Sequence, residues 1–198
     1  DVTRLPLLAL AAATLTLGGL AACSPPKVTT DAQANPAAAA TPADLAIDGK
    51  SANFVAEAAS ADMFEVEAAR LALTNTKAQN IKDFAQQMID AHTATTAALV
   101  PLATDARITP PSTLNEKYTG KIDELKKAKP EDFDKKYLDQ ATAVHSDALA
   151  LMKDYADNGK IGPIKAFAAE TAPKVQMHLD MAKGLDKSGA DDPKKNQQ

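Results

Sequence analysis

Apolar residues recur at alternating intervals of three and four along four segments of the chain, which restricts these segments to helices that bury one face. The first two segments carry the pattern at Phe54, Ala58, Ala61, Glu65, Ala68 and Ala72, and at Ile81, Phe84, Ala85, Met88, His92, Thr95, Leu99 and Leu102. The third carries two adjoining seams, one at Phe133, Tyr137, Val144, Ala148, Leu151 and Tyr155 and one at Leu138, Ala141, His145, Ala148 and Met152. The fourth carries the pattern at Ile164, Phe167, Thr171, Val175, His178, Ala182 and Leu185. No stretch alternates with period two for long enough to predict a strand. Abundant alanine and an aromatic share of only 4% also suit closely packed helices, so an all-α fold is predicted.

The connections between the segments predict the topology. Residues 74–76 form a short link after the first segment, and residues 158–163, with Gly159 and Pro163, form another before the fourth. Between them lies a long connection, residues 105–129, which contains a weak helical pattern at Leu114, Tyr118, Ile122 and Leu125. Two antiparallel hairpins joined by a long crossover describe a ferritin-like four-helix bundle, here predicted over residues 51–187 with Ser51 as the first N-cap.

Residues 1–22 have the features of a bacterial lipoprotein signal peptide. Arg4 precedes an apolar run, residues 5–17, that is too short for a comfortable membrane span. The sequence Leu20-Ala21-Ala22-Cys23 then resembles a lipobox, in which a peptidase cuts before a cysteine that carries lipid. An ordinary signal peptide with an incidental cysteine is the alternative. Cys23 is the only cysteine, and we predict that it is the lipidated residue that joins the protein to the membrane.

The residues on either side of the predicted bundle are expected to be disordered. Residues 23–50 are rich in proline and alanine and contain few large apolar side chains, so they are predicted to form a tether. The polar residues 188–198 are predicted to form a disordered tail. Ser24, rather than aspartate, follows the cysteine, which resembles the outer-membrane default of Gram-negative lipoproteins. The expected location is therefore the cell envelope, on the outer membrane and facing the periplasm.

Composition and motifs disfavour several classes of function. The formal net charge is −4 and no run of five basic residues occurs, so nucleic acid is not an expected partner. A lipidated Cys23 leaves the bundle without a thiol for disulfides, metal binding or nucleophilic catalysis. No Gly-x-Ser-x-Gly motif and no glycine-rich phosphate loop occurs. An enzyme is therefore less favoured than a non-catalytic protein.

The three histidines of the chain fall one in each of the last three helical segments, on or beside the apolar face. His92, His145 and His178 each lie about fifteen or sixteen residues from the nearest hairpin turn, so they should be level in the bundle. Glu65 occupies the inward face of the first segment. Imidazole and carboxylate ligands suit Zn, Cu, Ni or Fe, so these four residues are candidate ligands of a mononuclear metal site.

The carboxylate member of this site is open. Glu65 is offset from the histidines by about 9 Å along the bundle axis. Asp62 or Glu57 is closer in height, although each points less squarely inward. A di-iron centre is excluded because the residues three positions before the histidines are not carboxylates; they are Ile89, Thr142 and Val175.

A structural role for the histidines is the interpretation that the sequence favours over a metal site. A buried imidazole bonded to Tyr137, Thr171, Glu65 or Thr95 would fix the register of the helices without any metal. Two hypotheses follow for the function. The first, which the sequence favours, is a membrane-anchored bundle that acts through protein contacts or in envelope stress tolerance. The second is a protein that binds or stores one Zn, Cu or Fe ion.

The helical segments resemble the family known as domain of unknown function 4142. The resemblance rests on Glu65-Val66-Glu67, on Phe84-Ala85 with Met88 and His92, on Tyr137 with His145, and on Pro173 with His178. It covers about residues 51–186 and implies a ferritin-like helical fold in exported bacterial proteins, with no established activity. Family members often have aspartate directly before the second-helix histidine, where this chain has Ala91, and Asp90 stands one place earlier.

Overall fold

The computed structural model describes residues 48–188, and every regular element among them is a helix. The helices are α1 (Gly49–Asn75), α2 (Gln79–Asp105), α3 (Glu116–Lys126), α4 (Pro130–Asn158) and α5 (Gly162–Ser188). The predicted all-α class is confirmed. The predicted signal peptide, the lipidated Cys23, nearly all of the tether and the tail after Ser188 lie outside the described residues. No helix between residues 48 and 188 combines the length and apolar character needed to cross a bilayer.

The four long helices form two hairpins that pack side by side. Helix α1 packs on α2 and on α4, while α5 packs on α4 and on α2. One apolar cluster joins the end of α1 to the start of α2, the start of α4 and the end of α5; it includes Phe64, Phe84, Tyr137 and Ala182. A second cluster joins the opposite ends and includes Phe54, Leu99, Tyr155 and Ile164. Each long helix is therefore antiparallel to both of its neighbours, as the two predicted hairpins require.

The long crossover contains helix α3. The weak pattern at Tyr118, Ile122 and Leu125 becomes its buried face, which packs mainly against α1 and also touches α4. Asn115 caps it by accepting a hydrogen bond from the backbone N–H of Tyr118 at 3.1 Å. The crossover therefore covers the side of the bundle formed by α1 and α4.

Helix α1 begins earlier than the sequence suggested. Asp48, rather than Ser51, is its N-cap, because the Asp48 carboxylate accepts from the backbone N–H of Ser51 at 2.9 Å. The Ser51 hydroxyl is buried instead and lies 2.6 Å from the hydroxyl of Tyr155 at the end of α4. The start of α1 is thus joined by a hydrogen bond to the end of α4.

A layer of polar side chains separates the two apolar clusters. On α2 it lies between Met88 and Leu99, and on α4 between Val144 and Met152. Its buried members are Asp62, Glu65, His92, His145 and His178. Burying five ionisable groups in one layer costs free energy unless they are paired or bind a ligand.

Two glycines give a test of the packing. A Cβ on Gly159 would lie 2.5 Å from the carbonyl oxygen and from Cε1 of Tyr155, a buried side chain that its bond to Ser51 holds in place. Gly159→Ala is therefore expected to lower the free energy of unfolding by about 1–3 kcal/mol. Gly184→Ala is the control, since its Cβ would meet nothing within 4 Å in α5, and it should raise stability by up to about 1 kcal/mol. Urea unfolding followed by circular dichroism measures both; equal effects would contradict this packing.

Candidate metal centre

The three histidines form a nearly equilateral triangle of rings in the centre of the bundle. His92 comes from α2, His145 from α4 and His178 from α5, and all three are buried. Their ring centroids are 5.4, 5.5 and 5.7 Å apart. Three imidazoles on one tetrahedral ion would place their centroids about 5 Å apart, given metal–nitrogen distances of about 2.0–2.1 Å.

The ring nitrogens are close enough to share an ion. One nitrogen from each of the three rings can be chosen so that all lie within 4.8 Å of one another. Nε2 of His92 and Nε2 of His145 are 3.4 Å apart. Two nitrogens bound to one tetrahedral Zn²⁺ are separated by about 3.3–3.4 Å. This pair therefore already has the spacing of two metal ligands.

The other nitrogen of His92 is held by a carboxylate. Nδ1 of His92 lies 2.7 Å from Oδ1 of Asp62, and the hydroxyl of Thr96 donates to Oδ2 of the same carboxylate at 3.1 Å. Burial raises the pKa of Asp62, and the hydrogen bonds from His92 and Thr96 oppose that rise. With two donors directed at it, Asp62 acts as the acceptor and fixes the His92 ring with its proton on Nδ1.

The other nitrogen of His145 is held by the backbone. Nδ1 of His145 lies 2.8 Å from the carbonyl oxygen of Ala141, one helical turn earlier in α4. A carbonyl oxygen only accepts, so Nδ1 carries the proton. Oε1 of Glu65 lies 3.2 Å from the same nitrogen, and because the N–H points to Ala141 this contact is electrostatic rather than a hydrogen bond. Burial lowers the pKa of His145, but Glu65, Ala141 and Asp62 more than compensate and raise it overall.

Nε2 of His92 and Nε2 of His145 consequently have no proton between them when both rings are neutral. Both Nδ1 atoms carry the proton, so each Nε2 presents a lone pair, and the lone pairs meet across 3.4 Å. Two acceptors in contact in a buried site repel each other. A cation between them, either a proton or a metal ion, removes that repulsion.

His178 is the third ring of the triangle, and it differs from the other two at its Nδ1. This atom is buried and has no partner among residues 48–188. Burial, together with the neighbouring His145 and His92, lowers the pKa of His178 to about 4. The ring is therefore neutral at pH 7, with a lone pair free to bind an ion.

The structure sorts the predicted site residues into three groups. His92, His145 and His178 meet, at the common level that their spacing from the turns predicted. Glu65 and Asp62 contact the Nδ1 side of His145 and His92, behind the triangle. Glu57 lies elsewhere and accepts a hydrogen bond from Asn115 at 3.3 Å, so it is not at the centre.

A purely structural role for the three histidines is supported only in part. Of the partners considered for a purely structural histidine, Tyr137, Thr171 and Thr95 hydrogen-bond to none of the three rings among the described residues. Both carboxylate oxygens of Glu65 and the hydroxyl of Tyr137 are buried without a hydrogen-bond partner there. The sequence did not identify Thr96 or the Ala141 carbonyl, although both lie four residues from a histidine, one turn along the same helix.

A cavity of about 920 Å³ leads from the groove between α2 and α5 to the triangle. All three histidines and both carboxylates line it, together with small and apolar side chains; these include Ala58, Ala61, Ala94, Ala98, Met152 and Phe167. Helix α3 packs on the other side of the bundle and leaves this groove uncovered.

A family model described as "Domain of unknown function (DUF4142)" matches residues 34–185. The match includes all five helices except the last residues of α5, and it confirms the resemblance read from the histidine-bearing helices. It also begins before the predicted bundle, inside the segment predicted to be a tether. No curated protein and no solved structure shows significant similarity to the chain.

Proposed function

The chain belongs to the DUF4142 family, whose function is unknown, and we propose that it binds one transition-metal ion through His92, His145 and His178. The observation that carries the proposal is the 3.4 Å contact between the two Nε2 atoms, each opposite an Nδ1 that already has an acceptor. A shared proton would satisfy this pair alone, whereas His178, whose Nδ1 has no partner among residues 48–188, would still lack one. A metal ion satisfies both nitrogens at once.

The donor set indicates which metals fit. Three imidazoles with no thiolate are the ligands of an open Zn²⁺ site, in which the fourth position is taken by water or another ligand. Cu²⁺ binds nitrogen ligands more tightly than the other divalent ions of its series. Fe²⁺ is favoured less, since its open sites combine two histidines with a carboxylate in the first shell. We therefore expect Zn²⁺ or Cu²⁺ in preference to Fe²⁺.

The carboxylates have the role of orienting groups in this proposal. Asp62 fixes the ring of His92, as carboxylates behind metal-binding histidines commonly do. Glu65 adds negative charge beside His145, which compensates part of the charge of a divalent cation. Glu65 thus stays within the proposed centre, as an outer partner rather than a ligand.

Metal binding to the purified chain tests the proposal. Equilibrium dialysis against Zn²⁺, Cu²⁺ and Fe²⁺, with metal measured by atomic spectroscopy, should give one Zn²⁺ or Cu²⁺ per chain. Cys23→Ser should be run in parallel because it removes the only thiol while leaving all three histidines. Retention of none of the three metals would overturn the proposal, and so would binding that disappears with Cys23.

We also propose that the protein is a lipoprotein of the bacterial envelope, joined by lipidated Cys23 to the outer membrane and facing the periplasm. The lipobox-like Leu20-Ala21-Ala22-Cys23 supports this part of the proposal. The hypothesis of a contact or stress-tolerance role stays a prediction. Among residues 48–188, the exposed large hydrophobic side chains are Val100 and Met177, which is too little for an apolar docking surface.

A further inference from the structure

We infer that the cavity between α2 and α5 binds a small apolar molecule whose neutral nitrogen donor occupies the open position of the metal. This inference rests on the proposed metal centre and adds a ligand class to it. The inference is based on the combination, in one cavity, of apolar lining side chains with the three histidines.

The size of the cavity exceeds what an ion needs. A volume of about 920 Å³ falls at the upper end of the range for small-molecule sites, about 300–1,000 Å³. A metal ion with one bound water would use only a small part of it. The remaining space suits an organic molecule of moderate size.

Several of the side chains that line the cavity are suited to contact the apolar part of a ligand. Helix α2 presents Ala91, Ala94 and Ala98 along one stripe of the lining, so this part of the helix leaves space in the groove. Met152, Phe167 and Val175 line the same cavity. A ligand with an aromatic or aliphatic body would therefore remove apolar surface from water.

The charges at the cavity favour a neutral donor over an anion. Asp83, Asp90 and Glu170 line the cavity, and Lys174 is the basic residue among its lining side chains. Asp62 and Glu65 add acidic groups beside the histidines. Even with a divalent ion bound to the histidines, these five acidic side chains outnumber the positive charges of the ion and Lys174, so a carboxylate or phosphate ligand is disfavoured relative to a neutral azole.

The experiment compares imidazole with 4-phenylimidazole on the metal-loaded chain by isothermal titration calorimetry. Both probes offer the same donor, and only the second has an apolar body. We expect 4-phenylimidazole to bind at least about tenfold more tightly, because its phenyl ring is buried against the apolar lining.

Two matched variants locate the effect. Ala94 and Ala97 are both exposed on α2, but only Ala94 lines the cavity, so Ala94→Phe places a bulky ring at its opening and Ala97→Phe makes the same change outside it. Ala94→Phe should abolish the preference for 4-phenylimidazole and leave metal stoichiometry unchanged, while Ala97→Phe should change neither. Helical circular dichroism checks that both variants fold.

The outcomes separate the two proposals. If the metal loads but the two probes bind equally, or if Ala94→Phe leaves the preference intact, the ligand inference is overturned and the metal centre stands. If no metal loads, both fall together.

Discussion

Replacing His145 by alanine is expected to lower the affinity of the chain for Zn²⁺ or Cu²⁺ by at least about 100-fold, more than the 10- to 100-fold typical of an outer-shell change. His145 is the most deeply buried of the three histidines, with 1% of its surface exposed. Its Nδ1 is bound to the Ala141 carbonyl, so its Nε2 is already directed at Nε2 of His92. Removing it deletes a ligand whose orientation needs no further ordering on binding.

The loss should also appear in thermal stability. A metal held at a hundred times its dissociation constant stabilises the native state by about 2.7 kcal/mol, and His145→Ala should lose most of this gain. The variant will be less stable even in the presence of a chelator, since it leaves a cavity and costs about 1–3 kcal/mol by itself. The informative quantity is therefore the difference in melting temperature between chelator and metal, measured separately for each protein.

Two further variants serve as comparisons for His145→Ala. Asp62→Asn keeps all three imidazoles but weakens the acceptor of His92, so its affinity for the metal should fall by about 10- to 100-fold. Thr171→Ala changes a buried side chain of the same cavity that offers no metal ligand, and it should leave metal affinity unchanged. An unchanged affinity in His145→Ala, or equal losses in all three variants, would contradict the proposed centre.

Replacing Cys23 by serine is expected to remove the protein from the membrane fraction altogether. Cys23 is the only residue that can carry the thioether-linked lipid, and no helix in residues 48–188 could span a bilayer. Two or more acyl chains give durable anchoring, so the native protein should resist a high-salt wash.

Fractionation of cells and immunoblotting of the washed membranes measure this effect. Ser24→Ala is the matched control, because it changes the neighbouring residue and leaves Cys23 in place. Persistence of the mature-size Cys23→Ser protein in washed membranes would contradict the lipoprotein proposal.

Much of the fold follows from spacing alone. Intervals of three and four fix which face of each helix is buried, and the short links before Gln79 and Gly162 fix two antiparallel hairpins. Because a helix rises by a constant amount per residue, counting from the two turns also placed the three histidines at one level. The triangle of rings could therefore be predicted before its geometry was known.

The partners of the histidines could not be predicted in the same way. Asp62 reaches His92 although its position on α1 seemed to point less squarely inward, because helix rotation and side-chain rotamers decide contacts within one layer. Glu65 bridges its axial offset along α1 and reaches Nδ1 of His145 rather than the side that faces the other rings. Such choices depend on angles of a few tens of degrees, which residue spacing does not determine.

The N-cap of α1 and the cavity could not be predicted from residue spacing either. Asp48 and Ser51 are both good N-cap residues, but Asp48 accepts from the backbone N–H of Ser51, while the Ser51 hydroxyl lies against the hydroxyl of Tyr155. The width of the groove depends on how far apart α2 and α5 stand, which residue spacing does not determine.

The placement of the three histidines affects how firmly the two hairpins of the bundle are held together. His92 belongs to the first hairpin, whereas His145 and His178 belong to the second. One ion bound to all three would act as a removable cross-link between two halves that the chain joins only through the crossover. Tying His92 to His178 closes a loop of about 90 residues, and the chain-entropy relation for cross-links of that length gives about 4–5 kcal/mol. In a chain whose single cysteine excludes an internal disulfide, the ion would be the one such cross-link among residues 48–188, and its loss would leave the two apolar clusters alone to hold the hairpins together.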